Sequence, residues 1–154
     1  YYLANDKKED KEEYIKLMNE AIKNYDNAIS INSNYSIAFY NRGLTKYYLA
    51  NDKKEDKEEY IKLMNEAIKD YDKAIELNPN YSVAYDNRGL AKLQLGKIKE
   101  SIKDFIKAYN LDNDNRIKEK AKNRLINLAK EKNEAAIKFC KEHNINYKDN
   151  DNKK

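Results

Sequence analysis

Apolar side chains recur at helical spacing along most of this 154-residue chain. The clearest stripe consists of Tyr60, Ile61, Leu63, Met64, Ala67, Ile68, Tyr71, Ala74 and Ile75, with charged residues in between. Steps of three and four residues place these side chains on one side of a helix. Similar patterns predict shorter helices near residues 36–50, 82–95, 97–111, 116–131 and 134–143. We therefore expect an all-α protein.

The first 92 residues consist of two nearly identical copies, 1–46 and 47–92. Both open with the run YYLANDKKEDKEEYIKLMNEAIK. Only nine positions differ: Asn24/Asp70, Asn27/Lys73, Ser30/Glu76, Ile31/Leu77, Ser33/Pro79, Ile37/Val83, Phe39/Tyr85, Tyr40/Asp86 and Thr45/Ala91. A fixed period of this size is typical of stacked helical repeats.

Capping residues predict where the long helices begin. Asp52 is followed three residues later by Glu55, and the first copy repeats this with Asp6 and Glu9. An acid followed by Glu at this spacing is a capping box. We expect long helices at 53–77 and 7–31, with residues 1–4 ending an earlier helix.

Other breaks follow from turn-forming residues. Pro79 lacks a backbone N–H and should end the second long helix, and a turn is expected at Ser33 as well. Gly96 predicts a tight turn, and residues 112–115 predict a polar loop with capping residues. Asn133 is expected to cap the final helix, and Asn144 to end it.

These residues resemble the tetratricopeptide repeat (TPR), a helix-turn-helix unit of about 34 residues. Residues 82–115 carry its spaced small and large residues, namely Ala84, Tyr85, Gly89, Leu95, Gly96, Ser101, Phe105 and Ala108. Residues 36–81 carry Ala38, Phe39, Gly43, Ala67, Tyr71, Ala74 and Pro79. The first copy supplies half a unit with Ala21, Tyr25 and Ala28. The chain departs from the family pattern at Lys46, Lys92, Ser101 and the Asp112-Asn113 pair.

The resemblance implies a right-handed α-solenoid of antiparallel helix pairs in a single domain, 1–146. Its parts would be a partial repeat at 1–35 that lacks most of its first helix, an extended repeat at 36–81, a standard repeat at 82–115 and capping helices at 116–146. A polar tail would follow at 147–154. Because residues 1–4 match the end of a helix in the second copy, we expect the true N-terminus to lie upstream.

The 36–81 unit is about 12 residues longer than the family's usual repeat. We interpret the extra residues as an extension of the second helix by about three turns, repeated in the first copy. The two extensions would lie side by side as a ridge, with Tyr14, Ile15 and Leu17 near Tyr60, Ile61 and Leu63. This ridge could be an elongated core or a second docking surface.

No residue pattern indicates catalysis or a cofactor. His143 is the only histidine and Cys140 the only cysteine, so neither a metal cluster nor an internal disulfide is expected. Glu12-Glu13 and Glu58-Glu59 lie in charge-dense helix starts, where solvated carboxylates are the rule. We expect no enzyme, no cofactor and no membrane span, and we favour a cytoplasmic location.

Positive charge is concentrated towards the C-terminal end. Residues 116–132 hold seven basic and two acidic residues, within a chain of net charge +4. This basic segment could be a solvated helix face, or it could attract an acidic peptide tail. Few aromatic residues are interleaved with it, so we expect no nucleic acid partner.

The resemblance places a binding groove on the first helix of each unit. Mapped by spacing, the candidate partner-binding residues are Tyr40, Asn41, Leu44, Tyr47, Tyr48, Val83, Asp86, Asn87, Leu90, Gln94, Lys120 and Arg124. Asn41 and Asn87 occupy the same slot, and an amide can both donate to and accept from a peptide backbone. Arg42 and Arg88, beside them, are expected to pair with acids on the adjacent helix.

The expected function is a protein-interaction scaffold or adaptor that binds a peptide or partner helix in the groove. The alternative is a structural module that self-associates end to end through exposed helix faces. This alternative follows from the apolar stripe of the first long helix, which would lack a partner helix and be exposed. Copies of the chain would then associate into a homo-oligomer through the open N-terminal end.

Overall fold

The computed structural model describes residues 2–111 and 115–148, with side chains from residue 10 onward. The described residues form seven helices and no strand. The helices are α1 (Tyr2–Ile31), α2 (Ser36–Asp52), α3 (Lys57–Leu77), α4 (Ser82–Gln94), α5 (Ile98–Asn110), α6 (Asn115–Lys130) and α7 (Glu134–Glu142). The all-α prediction is therefore confirmed. The expected loop at 112–114 and the tail at 149–154 lie outside the described residues.

The helices divide into two compact units between Pro79 and Asn80. In the first unit, α2 packs against both α1 and α3. Arg42 contacts Asp70, while Lys46, four residues later on α2, contacts Glu66, four residues earlier on α3. Contacts that run in opposite directions along two helices make α2 and α3 an antiparallel pair. The buried core here consists of Ala38, Phe39, Leu49, Ala50, Leu63, Met64, Ala67, Ile68, Tyr71, Ala74 and Ile75.

The extra residues of the 36–81 unit lengthen both helices of the pair. α2 has 17 residues and α3 has 21, whereas α4 and α5 have 13 each. The prediction that only the second helix is extended is therefore wrong. Leu49 and Ala50, near the end of α2, are buried, and so is Leu63 on α3. Lengthening both helices buries the apolar residues of each against the other.

The capping box of α3 lies one turn later than predicted. Asp56, not Asp52, is the N-cap, and its Oδ1 accepts a hydrogen bond of 3.1 Å from the backbone N–H of Glu59. Asp52 instead ends α2 and lies 3.4 Å from Lys11 Nζ on α1. The segment contains two consecutive boxes, 52–55 and 56–59, and the later one starts α3 because α2 continues as far as Asp52.

The first copy has no break at the corresponding position. α1 is helical from Tyr2 to Ile31, so the predicted helix start at residue 7 is wrong. The chain must reverse after α2 so that α3 can pack on it. In α1, a continuous helix satisfies the backbone hydrogen bonds within the helix itself. The same amino-acid run therefore adopts two conformations according to its packing.

The predicted ridge of two parallel extensions is also wrong. α2 lies next to both long helices, and no backbone contact joins α1 to α3 in the part of the chain that the structure describes. Leu17 and Tyr14 are exposed, whereas Leu63 is buried. The apolar stripe of α3 is covered by the lengthened α2, which leaves no room for α1 on that face.

The second unit contains α4 to α7. α4 packs on α5, α5 on α6, and α6 on α7, with a further contact between α4 and α6. Its core consists of Ile102, Phe105, Ala108, Ile117, Ala121, Leu125, Leu128, Ala129, Ala136, Phe139 and Cys140. Ile145 and Tyr147 pack partly against this core, so the chain remains ordered past the predicted start of the tail.

The helix ends of this unit show the expected caps. Gly96 has φ +74°, and the N–H of Lys97 donates to Lys92 O at 2.9 Å, as in a Schellman motif. Asn133 Oδ1 accepts from the N–H groups of Ala135 and Ala136. Asn144 ends α7 with φ +53°. The predictions for Gly96, Asn133 and Asn144 are confirmed.

Candidate functional site

Two glycines set the distance between paired helices. A Cβ added to Gly43 of α2 would lie 3.1 Å from the carbonyl oxygen of Ala67 and 3.1 Å from Tyr71 Cε1. A Cβ added to Gly89 of α4 would lie 2.7 Å from Phe105 Cε1. All three distances are shorter than ordinary van der Waals contact. Each crossing therefore fixes the first helix of its pair closely against the second.

A buried aspartate holds two cations beside each glycine. Asp70 of α3 accepts from Arg42 Nε at 3.0 Å and lies 3.0 Å from Lys46 Nζ. Arg42 also bonds Asp26 of α1 at 2.6 Å, and its pKa is raised chiefly by the hydrogen bond with Asp70. The predicted structural pairing of Arg42 is confirmed.

The second unit repeats this arrangement. Asp104 of α5 accepts from Arg88 at 2.9 and 2.6 Å and from Lys92 Nζ at 2.8 Å. Asp104 is 4% exposed, so these cations replace the water that the carboxylate would otherwise bind. The structural pairing predicted for Arg88 is confirmed too. Lys46 and Lys92, which depart from the family pattern, thus complete two matching Arg–Asp–Lys clusters.

The outward side of α2 carries most of the candidate binding residues of the first unit. Ile37 and Tyr48 are 47% and 50% exposed, and Asn41 and Leu44 lie between them, partly exposed, at helical spacing. Tyr40 contacts the ring of Tyr71 with centroids 5.9 Å apart. Tyr47 packs edge-on against Tyr48 at 5.7 Å. We call Ile37, Tyr40, Asn41, Leu44 and Tyr48 the α2 strip.

Asp86 and Arg124 have a different role from the one expected. Arg124 of α6 donates to both carboxylate oxygens of Asp86 on α4, at 2.9 and 3.1 Å. Asp86 is 2% exposed, and the guanidinium lies 5.6 Å from the centroid of the Phe105 ring. This buried bidentate pair joins α4 to α6 rather than facing solvent.

Val83 and Lys120 line one cleft of about 430 Å³ in the second unit. The cleft lies between the first turns of α4 and α6, and its other lining residues are Asn80, Tyr81, Ser82, Arg116 and Ile117. Asn87 and Leu90 are partly exposed on α4, and Gln94 at its end is exposed. The structure therefore brings Val83, Asp86, Lys120 and Arg124 together along α4 and α6.

The tetratricopeptide repeat family matches this chain twice. A family profile described as "TPR repeat" matches residues 64–96, and one described as "Tetratricopeptide repeat" matches residues 82–115. The second range coincides with the predicted standard repeat. The chain therefore contains tetratricopeptide repeats within residues 64–115. Such repeats are typically non-catalytic protein-interaction modules, which makes this chain a protein-interaction scaffold in general terms.

A solved structure titled "Crystal structure of MamA" is similar to this TPR chain. It is 21% identical, with a TM-score of 0.39, and the match covers 88% of this chain and 90% of that one. A comparison with curated proteins found no match.

Sequence reasoning missed the carboxylates that hold the TPR helices together. Asp70 and Asp104 lie 28 and 16 residues from their arginines, so no local spacing connects them. A signal was nevertheless present, because Asp70 is one of the nine positions that differ between the copies. Asp86 and Arg124 are 38 residues apart and were assigned to binding instead.

Cys140 and His143 are the single cysteine and the single histidine of the chain. Burial raises the pKa of the Cys140 thiol, which disfavours the nucleophilic thiolate. His143 stacks on Phe139 at 4.0 Å, and its Nδ1 lies 3.0 Å from the carbonyl oxygen of that residue. Residues 10–111 and 115–148 contain no group of three or more His, Cys, Asp or Glu suited to a metal ion. None of the described helices is long and apolar enough to cross a membrane.

Proposed function

We propose that this TPR protein is an adaptor that binds a peptide or a partner helix along the first helices of its repeats. The observation that carries this proposal is the α2 strip. It places two half-exposed apolar side chains, Ile37 and Tyr48, on either side of the Asn41 amide. Exposed apolar area supplies affinity, while an amide can fix the register of a bound backbone.

The packing beneath the strip supports this role. Gly43 and the cluster of Asp70 with Arg42 and Lys46 hold α2 against α3 from the opposite side. A surface on a rigid helix loses little conformational entropy when a ligand binds. In the second unit, Asn87 occupies the equivalent slot, and the Asp86–Arg124 pair fixes α4 to α6. We therefore assign Asp86 and Arg124 a supporting role and keep Val83, Asn87, Leu90 and Lys120 as contact residues.

Selection of displayed peptides against the wild-type chain, followed by titration of the selected peptides, tests this proposal. The variants are Asn41→Ala, Asn87→Ala and the double variant, with Asn19→Ala on α1 as the matched control. Each lost amide contact should weaken binding by about fivefold to tenfold. Unchanged affinity in the double variant would exclude a role for the amides, and a comparable loss in Asn19→Ala would show that the effect is nonspecific.

Self-association is the second candidate, and the exposure of Leu17 favours it. Leu17 is 55% exposed, while Leu63, its counterpart in the duplicated sequence, is 6% exposed. An apolar helix face of this kind can bind another copy of the chain. Sedimentation equilibrium across a hundredfold range of protein concentration tests the idea. A constant monomer mass would exclude self-association through α1, whereas a rising mass that Leu17→Glu abolishes would support it.

A further inference from the structure

Three tyrosines lie close together on the outward side of α2. Tyr40 and Tyr48 belong to the α2 strip, and Tyr47 packs edge-on against Tyr48 with ring centroids 5.7 Å apart. We call these three residues the tyrosine cluster. The two cations of this stretch, Arg42 and Lys46, are held on the other side of α2 by the buried aspartate of α3. The α2 strip itself therefore combines aromatic rings, hydroxyl groups and an amide without any charged side chain.

The tyrosine cluster is specific to α2. In the standard repeat, α4 has Asp86, Leu93 and Gln94 in the places of the three tyrosines. Asp86 is 2% exposed and accepts from Arg124 of α6 at 2.9 and 3.1 Å, so α4 uses part of this face for packing. In α2 the face is presented to solvent, with Tyr48 50% exposed. The first unit thus has a surface of its own chemistry, which calls for a ligand of matching chemistry.

The hydroxyl groups distinguish between a helical and an extended ligand. The backbone carbonyls of an α-helix already accept hydrogen bonds within the helix, so a bound helix offers few acceptors to tyrosine. A polyproline II segment has no internal backbone hydrogen bonds, and its carbonyl oxygens are open to solvent. Proline also lacks an N–H that would need an acceptor in return. Hydroxyl and amide hydrogens of partial positive charge on α2 therefore complement the partial negative charge of these carbonyl oxygens.

The spacing of the tyrosines fits the period of polyproline II. Tyr40 and Tyr47 are seven residues apart, which corresponds to about 10 Å along the helix axis. Polyproline II has three residues per turn and rises about 3.1 Å per residue, so every third side chain recurs after about 9 Å. The ring of Tyr71 lies beneath that of Tyr40 with centroids 5.9 Å apart and supports it. Prolines at every third position can thus stack on rings that are already in place.

We propose that the tyrosine cluster of α2 binds a proline-rich segment of a partner protein in the polyproline II conformation. Proline rings at every third position stack on Tyr40 and on the pair formed by Tyr47 and Tyr48. The tyrosine hydroxyls and the Asn41 amide donate to the carbonyl oxygens of the segment. Because the α2 strip carries no charge, it favours an uncharged segment over an acidic or basic one. This inference rests on the proposed function as an adaptor and identifies the class of peptide bound.

Fluorescence anisotropy with three labelled peptides tests the proposal on the wild-type chain. The first peptide is a nine-residue oligoproline, which forms three turns of polyproline II. The second has nine alanine and glutamine residues, and the third is an amphipathic helix of alanine, leucine and lysine. Oligoproline should bind about tenfold more tightly than either of the others, because it loses little conformational entropy and offers carbonyl acceptors.

Two substitutions at Tyr48 separate the ring from the hydroxyl. Tyr48→Phe keeps the ring and should weaken oligoproline binding about fivefold, whereas Tyr48→Leu removes both groups and should weaken it more than tenfold. Tyr48 is half exposed, so neither change opens the core. Tyr35→Leu is the matched control and should bind as the wild type does. Tyr35 is 43% exposed, makes no side-chain capping bond and lies thirteen residues before Tyr48, which places it on another side of the helix.

The proposal is overturned by equal affinities for oligoproline and the alanine–glutamine peptide, or by tighter binding of the amphipathic helix. It is also overturned if oligoproline does not bind, or if Tyr48→Leu binds it as well as Tyr35→Leu does. These results remain separate from the test of the proposed function. Displayed peptides that lack proline and lose affinity on Asn41→Ala would support the adaptor while excluding a proline-rich partner.

Discussion

Gly89 and Phe105 lie so close that a Cβ on the glycine would be 2.7 Å from Cε1 of the ring. The corresponding distance from Gly43 to Tyr71 Cε1 is 3.1 Å. Both helix pairs therefore cross at a glycine that faces an aromatic ring, but the distance to the ring is shorter at Gly89 than at Gly43. Phe105 is fully buried, and the Arg124 guanidinium lies 5.6 Å from the centroid of its ring. The ring therefore has little space to move away from an added methyl group. Alanine substitutions at Gly89 and Gly43 can measure the difference between the two crossings.

Gly89→Ala should lower the free energy of unfolding by about 2 kcal/mol. The clash with Phe105 outweighs the gain in helix propensity, which is about 1 kcal/mol. Gly43→Ala should cost less, because its contacts are a few tenths of an ångström longer. Urea denaturation of both variants measures which substitution lowers the free energy of unfolding more. A stabilised Gly89→Ala variant would show that the helices can separate at this crossing without cost.

Tyr71→Phe should stabilise the protein by about 1 kcal/mol. The Tyr71 hydroxyl is fully buried and has no hydrogen-bond partner among the described residues. Phe105 occupies the equivalent slot in the second unit without a hydroxyl. Tyr25→Phe, in the same slot of the partly exposed first copy, is the control and should change the unfolding midpoint little. A clear loss of stability in Tyr71→Phe would indicate a buried water or other partner for the hydroxyl.

Stability at alkaline pH should depend on the same hydroxyl. Burial raises the pKa of Tyr71 in the folded protein far above its ordinary value of about 10. Below pH 10 the hydroxyl is protonated in both states, so it adds no pH dependence. Above pH 10 the unfolded chain loses the proton more readily, and stability falls as pH rises. Melting temperatures from pH 8 to 11 should therefore fall less steeply for Tyr71→Phe, and parallel curves would contradict this.

Asp70→Asn should lower the free energy of unfolding by about 2–3 kcal/mol. The substitution leaves Arg42 and Lys46 partly buried beside a neutral amide. Asp104→Asn should have a similar effect, because Arg88 and Lys92 are arranged in the same way. Glu55→Gln, an exposed residue in the turn before α3, is the charge-matched control. A loss no larger than that of the control would mean that the buried cluster adds no net stability.

Lys132→Gly should stabilise the protein by about 1 kcal/mol. Lys132 ends α6 with φ +63°, a conformation that glycine adopts without strain. Lys130→Gly, two residues earlier within the helix, is the matched control and should destabilise by about 1 kcal/mol. Thermal unfolding of both variants gives the comparison. Destabilisation by Lys132→Gly would show that the lysine side chain contributes more than its backbone strain costs.

Local patterns in the sequence predicted much of this structure. The apolar spacing located the helices, and the caps at Gly96, Asn133 and Asn144 act where expected because each requires only a few neighbouring residues. The pairing of Arg42 and Arg88 with acids was also foreseen, although the identity of the acids was not. These features depend on helix geometry and on short-range hydrogen bonds.

The candidate site was less predictable from sequence. Asn41, Leu44 and Tyr48 share one side of α2, because one helical period fixes their common face. Asp86 and Arg124 are 38 residues apart and form a buried pair instead. A charged residue on the predicted inner face can bind a ligand or a neighbouring helix. Only the packing of α4 against α6 distinguishes these cases.

By itself, the sequence determined the helices, the repeat period and the family, since all three follow from spacing along one chain. The tertiary structure decided which of two capping boxes is used, how the extra residues divide between α2 and α3, and why Leu17 is exposed while Leu63 is buried. Identical local sequences cannot specify these differences. They arise because α2 covers the apolar face of α3 and leaves the equivalent face of α1 open.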